Sequence, residues 1–246
     1  MSNNFELLSQ LELADDLFPA MPEVATESTV HRSASGNGKL PNSYSEALNL
    51  VQRLFLAKPE VAPHTVVFTS PQSNAGCSWV CARTSEALAG RLPGAVCIVD
   101  ANLRSPAMHR YFRLDNHRGL TQALLETGPI SDYLQEVRNR KLFVLTTGSA
   151  SQATALASNR LGERLAELRQ TFAFVLIDSP ATNLYTDVAL LSSMADGAIL
   201  VIEADSTRRE AALQAKEALA AAKFRLLGAA LNKRSFPIPE FIYRRF

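Results

Sequence analysis

Two hydrophobic patterns alternate along most of the chain: short apolar runs, and longer stretches in which apolar residues recur every three or four positions. The short runs predict strands at 64–69, 95–99, 142–147, 172–177, 198–203 and 225–231. The helical spacing predicts helices at 43–58, 76–91, 119–126, 152–170, 188–194 and 207–222. This alternation favours an α/β domain in which helices flank a mainly parallel central sheet, a three-layer sandwich.

The run 172–177 is almost wholly apolar, which is typical of a strand buried on both faces of a parallel sheet. The helix predicted before it carries Arg160, Arg164 and Arg169 among leucines. We expect these three arginines on the exposed side of that helix. The crossover connections between parallel strands are expected to be right-handed.

Residues 1–42 differ in composition from the rest of the chain. Leucines and phenylalanines alternate with acidic residues before Pro19, a pattern that fits a short amphipathic helix. Residues 23–42 are rich in Ser, Thr, Asn, Gly and Pro, as flexible linkers are. We therefore expect a flexible N-terminal segment, one large domain at 43–235 and a C-terminal tail at 236–246. A disordered tail and a partner-docking helix remain alternatives for the first segment.

The overall charge is nearly balanced, with 25 Lys and Arg against 24 Asp and Glu and a formal net charge of +1. Nucleic-acid binders usually carry a clear basic excess, so this balance argues against nucleic acid as a partner. No apolar run approaches the ~20 residues that span a bilayer, and the first residues lack the features of a secretory signal. Three cysteines without a disulfide-framework spacing fit a reduced compartment, so we expect a cytoplasmic protein.

A turn of small and polar residues joins the first predicted strand to the helix that follows, where a phosphate-binding loop belongs. Such a loop, G-x-x-x-x-G-K-[ST], needs small residues for backbone contacts to phosphate, a lysine for charge and a hydroxyl for Mg²⁺. Gly76 and Ser78 occupy two of its four fixed positions, whereas Pro71 replaces the first glycine and Cys77 the lysine. Taken alone, this match is weak, and a purely structural turn is the better interpretation.

Two aspartates directly follow apolar strands. Asp100 comes after the run at 96–99, and Asp178 after the run at 174–177. Ligands of such sheets bind at the carboxyl ends of the strands, so both carboxylates are expected to face the same crevice as the loop. A carboxylate in this place can hold a Mg²⁺-bound water, as in the Walker B pattern. One such aspartate is ordinary, because Asp often ends a strand, but the ordered set is much less so.

With these motifs, residues 43–235 resemble the cytoplasmic kinase domain of bacterial tyrosine kinases (BY-kinases) from capsule and exopolysaccharide systems. These kinases share the P-loop NTPase class with the MinD/ParA-type septum-site and chromosome-partitioning ATPases. The resemblance rests on the order and spacing of Phe68-Thr69-Ser70 with Gly76 and Ser78, Val99-Asp100 with Arg104 and Pro106, Gly119-Leu120, Leu124-Leu125, Leu145 with Gly148, Ile177-Asp178-Ser179-Pro180, Thr186-Asp187, Ala195-Asp196-Gly197, and Gly228 with Asn232.

The resemblance implies a site for ATP and Mg²⁺. The residues it implies there are Gly76, Cys77, Ser78 and Asn232 for the nucleotide, Asn232 at its base, and Ser78, Asp100 and Asp178 for Mg²⁺. Asp100 and Asp178 would be the catalytic carboxylates, with Asp100 the candidate base near the acceptor hydroxyl. The family also implies a membrane polysaccharide co-polymerase, or chain-length determinant, as the partner. That partner would place the chain peripherally at the inner membrane.

Departures from the family pattern decide the expected activity. Cys77 stands where the family has lysine, and a short, neutral thiol cannot supply the charge that phosphoryl transfer needs. Each ~1.4 kcal/mol of lost stabilisation slows a reaction about 10-fold, so transfer is expected to fall by orders of magnitude. Asn102 replaces a second aspartate of the family, and bulky Trp79 follows Ser78 directly. We therefore expect a weak or inactive kinase, a pseudoenzyme with a regulatory role.

Two further features of the family are eroded. The family helix with E-x-x-R-x-x-R has Glu46, Asn49 and Gln52 here, with Arg53 displaced by one position and so turned about 100° around the helix. This argues against family-style rings, while another homo-oligomer remains open. In place of a tyrosine-rich tail the C-terminus has Tyr243, which is a candidate acceptor, a partner contact or a packed aromatic.

Two other functional hypotheses remain open beside the degenerate kinase. One is a working tyrosine autokinase or ATPase with a compensating cation, for which the candidates are Lys233, Arg234, Arg208 and Arg209. The other is a MinD/ParA-type positioning protein. It is disfavoured because Pro71 and Gln72 stand where that group has its signature lysine.

Two clusters of side chains each have a structural and a functional interpretation. Cys77 and Cys81 lie one helical turn apart, so they are either small packed residues, the simpler interpretation, or a redox pair or half of a metal site. The basic run Arg110, Arg113 and Arg118 is interpreted as a solvated surface. Binding to an acidic partner tail or to a membrane is the alternative for these arginines.

Overall fold

The computed structural model describes residues 47, 49–56, 62–137, 141–149, 156, 158–183 and 187–233. They belong to the unit Asn42–Phe246. The predicted N-terminal segment 1–42, Arg234 and the tail with Tyr243 lie outside the described residues.

A mainly parallel sheet forms the centre of the described structure. Its strands are β1 (Thr65–Thr69), β2 (Val96–Asp100), β3 (Gln135–Val137), β4 (Leu142–Leu145), β5 (Phe174–Asp178), β6 (Gly197–Glu203) and β7 (Leu226–Asn232). The spatial order is β3-β4-β2-β5-β1-β6-β7. Only β3 runs antiparallel to its neighbour among these strands. The predicted fold class is therefore confirmed.

Helices connect the strands and cover the sheet. They are α1 (Cys77–Ala89), α2 (Met108–Phe112), α3 (Leu120–Leu125), α4 (Arg160–Thr171), α5 (Asp187–Leu191) and α6 (Arg209–Ala221). Residues 47 and 49–51, in the helix predicted at 43–58, are α-helical and lead into a π-helical turn at Gln52–Leu56, and a 3₁₀ turn lies at Ile130–Tyr133. The short α2, the 3₁₀ turn and the antiparallel β3 were not predicted. No helix in the described ranges combines the length and apolar character needed to cross a bilayer.

The inner strands of the sheet are buried on both faces, as their apolar sequences predict. Alternate residues of β5 enter opposite cores: Val175 and Ile177 pack with α4 and α5, and Leu176 packs on the other side with α1. Every residue of β1 is buried, and so is every residue of β2. This double burial follows from side-chain alternation along a strand that has helices above and below it. It leaves the strand ends as the places where polar chemistry can meet solvent.

One expectation about α4 was wrong. Arg164 is 4% exposed, whereas Arg169 is exposed and Arg160 half-buried. The Arg164 guanidinium donates through Nε to the carbonyl of Ala123 (2.8 Å) and pairs with Glu167 (2.9 Å). It therefore satisfies a backbone acceptor at the end of α3 that burial would otherwise leave without a partner.

A carboxylate fastens the amino ends of the central strands. Asp196 Oδ2 accepts hydrogen bonds from the backbone N–H groups of His64 and Thr65, each at 2.7 Å, and its Oδ1 accepts one from Arg169 at 3.0 Å. Burial raises the pKa of Asp196, but the two amides and Arg169 outweigh it and leave the pKa below the ordinary value. This aspartate therefore stabilises the fold in its charged form.

Candidate functional site

The loop between β1 and α1 is held in shape by the end of β7. Asn232 is buried, and its Nδ2 donates to the carbonyl of Ala75 at 2.9 Å. Lys233 Nζ donates to the carbonyl of Asn74 at 2.6 Å and pairs with Glu203 at 2.9 Å. The resemblance implied that Asn232 would meet a nucleotide base, but its amide is engaged with the loop backbone.

Gly76, the residue before α1, lies directly against the end of β7. Its φ of +84° is left-handed, and a Cβ added there would clash with Asn232 Nδ2. We expect Gly76→Ala to lower the free energy of unfolding by about 1–2 kcal/mol, from backbone strain and the displaced amide. Urea unfolding measures this change.

Gly228→Ala is the matched control for Gly76→Ala. Gly228 lies in β7, and nothing is within 4 Å of a Cβ built on it. The same methyl group should therefore leave stability unchanged or slightly raise it. Equal destabilisation by both substitutions would contradict the close packing of Asn232 on the loop.

Two carboxylates lie side by side beneath the loop. Asp100 and Asp178 end the neighbouring strands β2 and β5 in direct register, and both are 0% exposed. Asp100 Oδ2 accepts hydrogen bonds from the backbone N–H groups of Ala107 (3.0 Å) and Met108 (2.9 Å), at the start of α2. Asp100 Oδ1 and both oxygens of Asp178 have no hydrogen bond of normal geometry among the described residues. Buried carboxylate oxygens that are paired this poorly are rare in proteins, because burying them is costly.

Burial shifts the pKa values of this pair upwards. The pKa of Asp100 rises to about 6 because burial outweighs the backbone hydrogen bonds that lower it. The pKa of Asp178 is raised well above its ordinary value, by burial first and by the Asp100 charge second. The Ser78 hydroxyl and the Cys77 thiol lie beside Asp178 and lower its pKa by less than this. The pair therefore resists holding two negative charges at neutral pH.

Cys77 occupies the first position of α1, where a P-loop would have its lysine. Its side chain is 8% exposed, and burial, then the neighbouring Asp178, raises the pKa of its thiol well above the usual range. The group is therefore neutral at physiological pH. Cys81 and Cys97 are also buried and unbridged, which fits the interpretation as packed residues.

The residues at the strand ends fit a magnesium ion better than they fit a triphosphate. A hydroxyl and two carboxylates with orphaned oxygens are the ligand types that Mg²⁺ prefers. Among the described residues no three His, Cys, Asp or Glu side chains form a metal-binding cluster, so Ser78 would have to complete the set. The neutral Cys77 provides no counter-charge for phosphate oxygens.

A cavity of about 600 Å³ lies above the carboxylates. Its walls come from the loop after β1, the first turn of α1, the loop after β2, α2, and the loop after β5. Gly76, Cys77 and Ser78 line it, whereas Asp100 and Asp178 are sealed beneath it. Asn232 does not line it either, because it lies behind the loop.

The cations around the cavity differ from those considered in the sequence. Lys233 is paired with Glu203, and neither Arg208 nor Arg209 is among the lining residues. Arg104 and Arg110 do line the cavity. Arg104 was visible in the motif but was assigned no role, and Arg110 was interpreted as solvated surface. Arg110 is exposed, as that interpretation expects, and so are Arg113 and Arg118, but among these three only Arg110 also borders the cavity.

An arginine joins two aromatic side chains on one wall of the cavity. The Arg83 guanidinium carbon lies 5.6 Å from the Trp79 ring centroid and 5.7 Å from that of Tyr111. Arg83 also pairs with Glu86 at 3.0 Å, and the Tyr111 hydroxyl lies 3.4 Å from the same carboxylate oxygen. These contacts connect α1 to α2 and fix both rings at the cavity edge.

Comparison with solved structures defines the class of the domain. A chimerical protein, CapA2B2, superposes with a TM-score of 0.71 over 77% of this chain and 84% of its own, at 27% identity. The septum-site-determining protein MinD of Pyrococcus horikoshii, solved with Mg-ADP, superposes with a TM-score of 0.59 over 74% of this chain and 76% of its own, at 20% identity. The domain therefore has the fold of the P-loop NTPases.

Sequence relatives narrow this class. Over 139 residues, 56% of this chain, the sequence is 37% identical to tyrosine-protein kinase YwqD of Bacillus subtilis strain 168. It is 32% identical over 138 residues, 55% of the chain, to the putative tyrosine-protein kinase CapB of Staphylococcus aureus. No protein-family model matches. In sequence, the chain is therefore similar to bacterial tyrosine-protein kinases, and it shares its fold with MinD/ParA-type ATPases. The matches span 59% and 60% of the two relatives' own lengths, so they identify the domain and not the activity of a whole protein.

Proposed function

We propose that this chain is a regulatory member of the BY-kinase family, with phosphotransfer weak or absent, in exopolysaccharide or capsule biosynthesis and export. The observation that carries the proposal is the buried, neutral Cys77 at the lysine position of the loop. Phosphoryl transfer proceeds through charge stabilisation, and a lysine at this point neutralises phosphate oxygens. A thiol with a raised pKa cannot replace it.

The second feature in support is the position of the carboxylates. Asp100 and Asp178 are sealed beneath the cavity, and Asp100 has one oxygen already engaged with two amides at the start of α2. An acceptor hydroxyl in the cavity would not contact either carboxylate as they lie here. When bound, Mg²⁺ would supply charge at this place, and Ser78, Asp100 and Asp178 are the residues that would hold it.

The partner we propose is a membrane polysaccharide co-polymerase, which would keep the chain at the inner membrane from the cytoplasmic side. The relatives named tyrosine-protein kinases and the CapA2B2 match support this assignment. The domain at 43–235 would carry the interaction, with 1–42 and 236–246 as flanking segments. A MinD/ParA-type positioning role has the support of the shared fold alone.

One observation favours a second candidate function, an active kinase. Arg104 and Arg110 line the cavity and would supply positive charge in place of the lysine. Arginine fingers stabilise transferring phosphoryl groups in other P-loop proteins. One observation argues against an active kinase: Arg104 Nε already pairs with Asp187 at 3.3 Å.

A phosphotransfer assay on the full chain separates the two functions. We expect that incubation with ATP and Mg²⁺ leaves every tyrosine, Tyr243 included, unmodified by mass spectrometry. Isothermal titration should give no binding of ATP·Mg²⁺ in the micromolar range. The relative YwqD, treated in parallel, is the positive control. Clear phosphotyrosine together with micromolar nucleotide affinity would refute the regulatory role and support an active kinase.

A further inference from the structure

The cavity has an aromatic and cationic wall to which the proposed regulatory role assigns no function. Trp79 and Tyr111 line it, with Arg83 between the two rings. Glu86 accepts from both Arg83 and Tyr111, so this wall is held by several contacts between α1 and α2. A wall with this preorganisation suits a flat aromatic ligand, because the rings lose little freedom when the ligand stacks on them.

Two guanidinium groups lie on the same cavity. The Arg104 side chain lines it and is oriented by the bond from Nε to Asp187 (3.3 Å). The Arg110 side chain lines it from α2, and its Nη2 donates to the carbonyl of Pro106 at 2.6 Å. Guanidinium pairs are the groups with which proteins recognise phosphate monoesters. The serine hydroxyl of Ser78 and the start of α1 add hydrogen-bond donors nearby.

The charge and the position of the cavity distinguish a phosphate monoester from a triphosphate. A tyrosyl phosphate carries about −1.5 to −2 at neutral pH, which two arginines can match. A nucleoside triphosphate brings more negative charge to a loop without lysine. The cavity also extends along β2 and α2, and Asn232, the residue that the resemblance implied at a nucleotide base, does not line it.

We propose that this cavity binds a phosphorylated tyrosyl side chain of a partner protein, so that the chain reads a phosphotyrosine mark. The phosphate lies between Arg104 and Arg110, and the phenyl ring stacks against Trp79 and Tyr111. This inference rests on the proposed function. A domain that does not transfer phosphate can still bind phosphotyrosine, the product of a tyrosine kinase. No bond forms or breaks in this binding.

The test uses the full chain and one short peptide in three forms, with a central phosphotyrosine, an unmodified tyrosine or a phosphoserine. Trp79 is the single tryptophan of the sequence, so its fluorescence reports on the cavity wall directly. We expect the phosphotyrosyl peptide to shift Trp79 emission and to bind, by isothermal titration, at least about 10-fold more tightly than the other two forms. Inorganic phosphate and ATP·Mg²⁺ are titrated as competitors and should bind more weakly than the phosphotyrosyl peptide.

Arg110→Ala should weaken phosphotyrosyl binding by about 10-fold or more, because it removes a charge-assisted hydrogen-bond donor to phosphate. Arg91→Ala is the matched control: Arg91 is exposed just beyond the far end of α1 and does not line the cavity, so affinity should stay within about two-fold. Thermal unfolding of both variants checks that the fold is retained.

Equal affinity for the three peptides, competition by inorganic phosphate at the same strength, or an Arg110→Ala variant that binds like Arg91→Ala would each overturn the proposal. The outcome is separate from that of the phosphotransfer assay. A chain that forms phosphotyrosine refutes the regulatory function, whereas a chain that transfers nothing and binds no phosphotyrosyl peptide refutes this inference alone.

Discussion

Replacing Cys77 by lysine raises the affinity of the chain for ATP·Mg²⁺ by about 10- to 100-fold. Cys77 is the first residue of α1 and lines the cavity, so a longer side chain has a path out of the buried position. The new ammonium group adds a charge-assisted hydrogen bond to phosphate, worth about 1.5–3 kcal/mol. It also lies beside Asp178 and lowers the pKa of that carboxyl towards the ordinary range. Isothermal titration of the variant and the natural chain measures the difference.

Cys77→Met is the matched control for Cys77→Lys. Methionine has nearly the length of lysine but no charge, so it reports the steric effect of the longer side chain alone. We expect the methionine variant to bind ATP·Mg²⁺ no better than the natural chain. If the lysine variant binds ATP·Mg²⁺ no more tightly than the methionine variant, the missing charge is not what weakens nucleotide binding. The neutral Cys77 would then no longer support the proposed function.

The second large effect expected is a gain in stability. Asp178→Asn should raise the free energy of unfolding at pH 7.5 by about 2–3 kcal/mol, because asparagine has the same shape and carries no charge into the buried site. Asp178 is fully buried, without a hydrogen bond of normal geometry among the described residues, and next to Asp100. Urea unfolding between pH 4 and pH 8 measures the change.

The pH dependence has a definite sign. Because the pKa of Asp178 is raised by folding, the folded chain keeps a proton that the unfolded chain releases above pH ~4. The contribution of Asp178 to the free energy of unfolding is therefore fully present below pH ~4, and it is lost as the pH rises. Asp100 loses its contribution to stability in the same way, between pH ~4 and its folded pKa of about 6. In Asp178→Asn the decline between pH 4 and pH 8 should be shallower than in the natural chain.

Asp196→Asn provides the control with the opposite sign. Asp196 has a pKa below the ordinary value and accepts from the amides of His64 and Thr65, so its charged form stabilises the fold. Its stabilisation is present above pH ~4 and lost on acidification. The substitution should therefore lower stability at pH 7.5. A lower stability of Asp178→Asn at that pH would mean that Asp178 is charged and well compensated, contrary to its burial.

The sequence predicted the sheet because its signals are local. Apolar runs such as 174–177 end in an aspartate, and their alternation with helical stretches leaves few arrangements other than a parallel sheet. The neighbouring positions of Asp100 and Asp178 follow from the same rule, since parallel strands end at one edge. The strand β3, of three residues at the sheet edge, has too little apolar periodicity to be recognised.

The remaining features of the site depend on contacts between distant parts of the chain. The sequence places Arg164 and Arg110 on basic surfaces. In the structure Arg164 is buried against α3, whereas Arg110 stays exposed and also borders a cavity formed with the loop after β1. The sealing of Asp100 follows from two amides at the start of α2, a helix too short to predict. Asn232 contacts the loop because β6 places β7 beside it, which no local pattern encodes.

The place of β1 at the middle of the sheet has a consequence for how the chain is made. Thr65 pairs with Val175 on one side and Val66 with Gly197 on the other, so neither neighbour exists when β1 leaves the ribosome. This strand, which is fully buried in the folded chain, must then wait until β5 and β6 have been made before it can pair. We expect nascent chains that stop before β5 to lack the central sheet and to rely on chaperones.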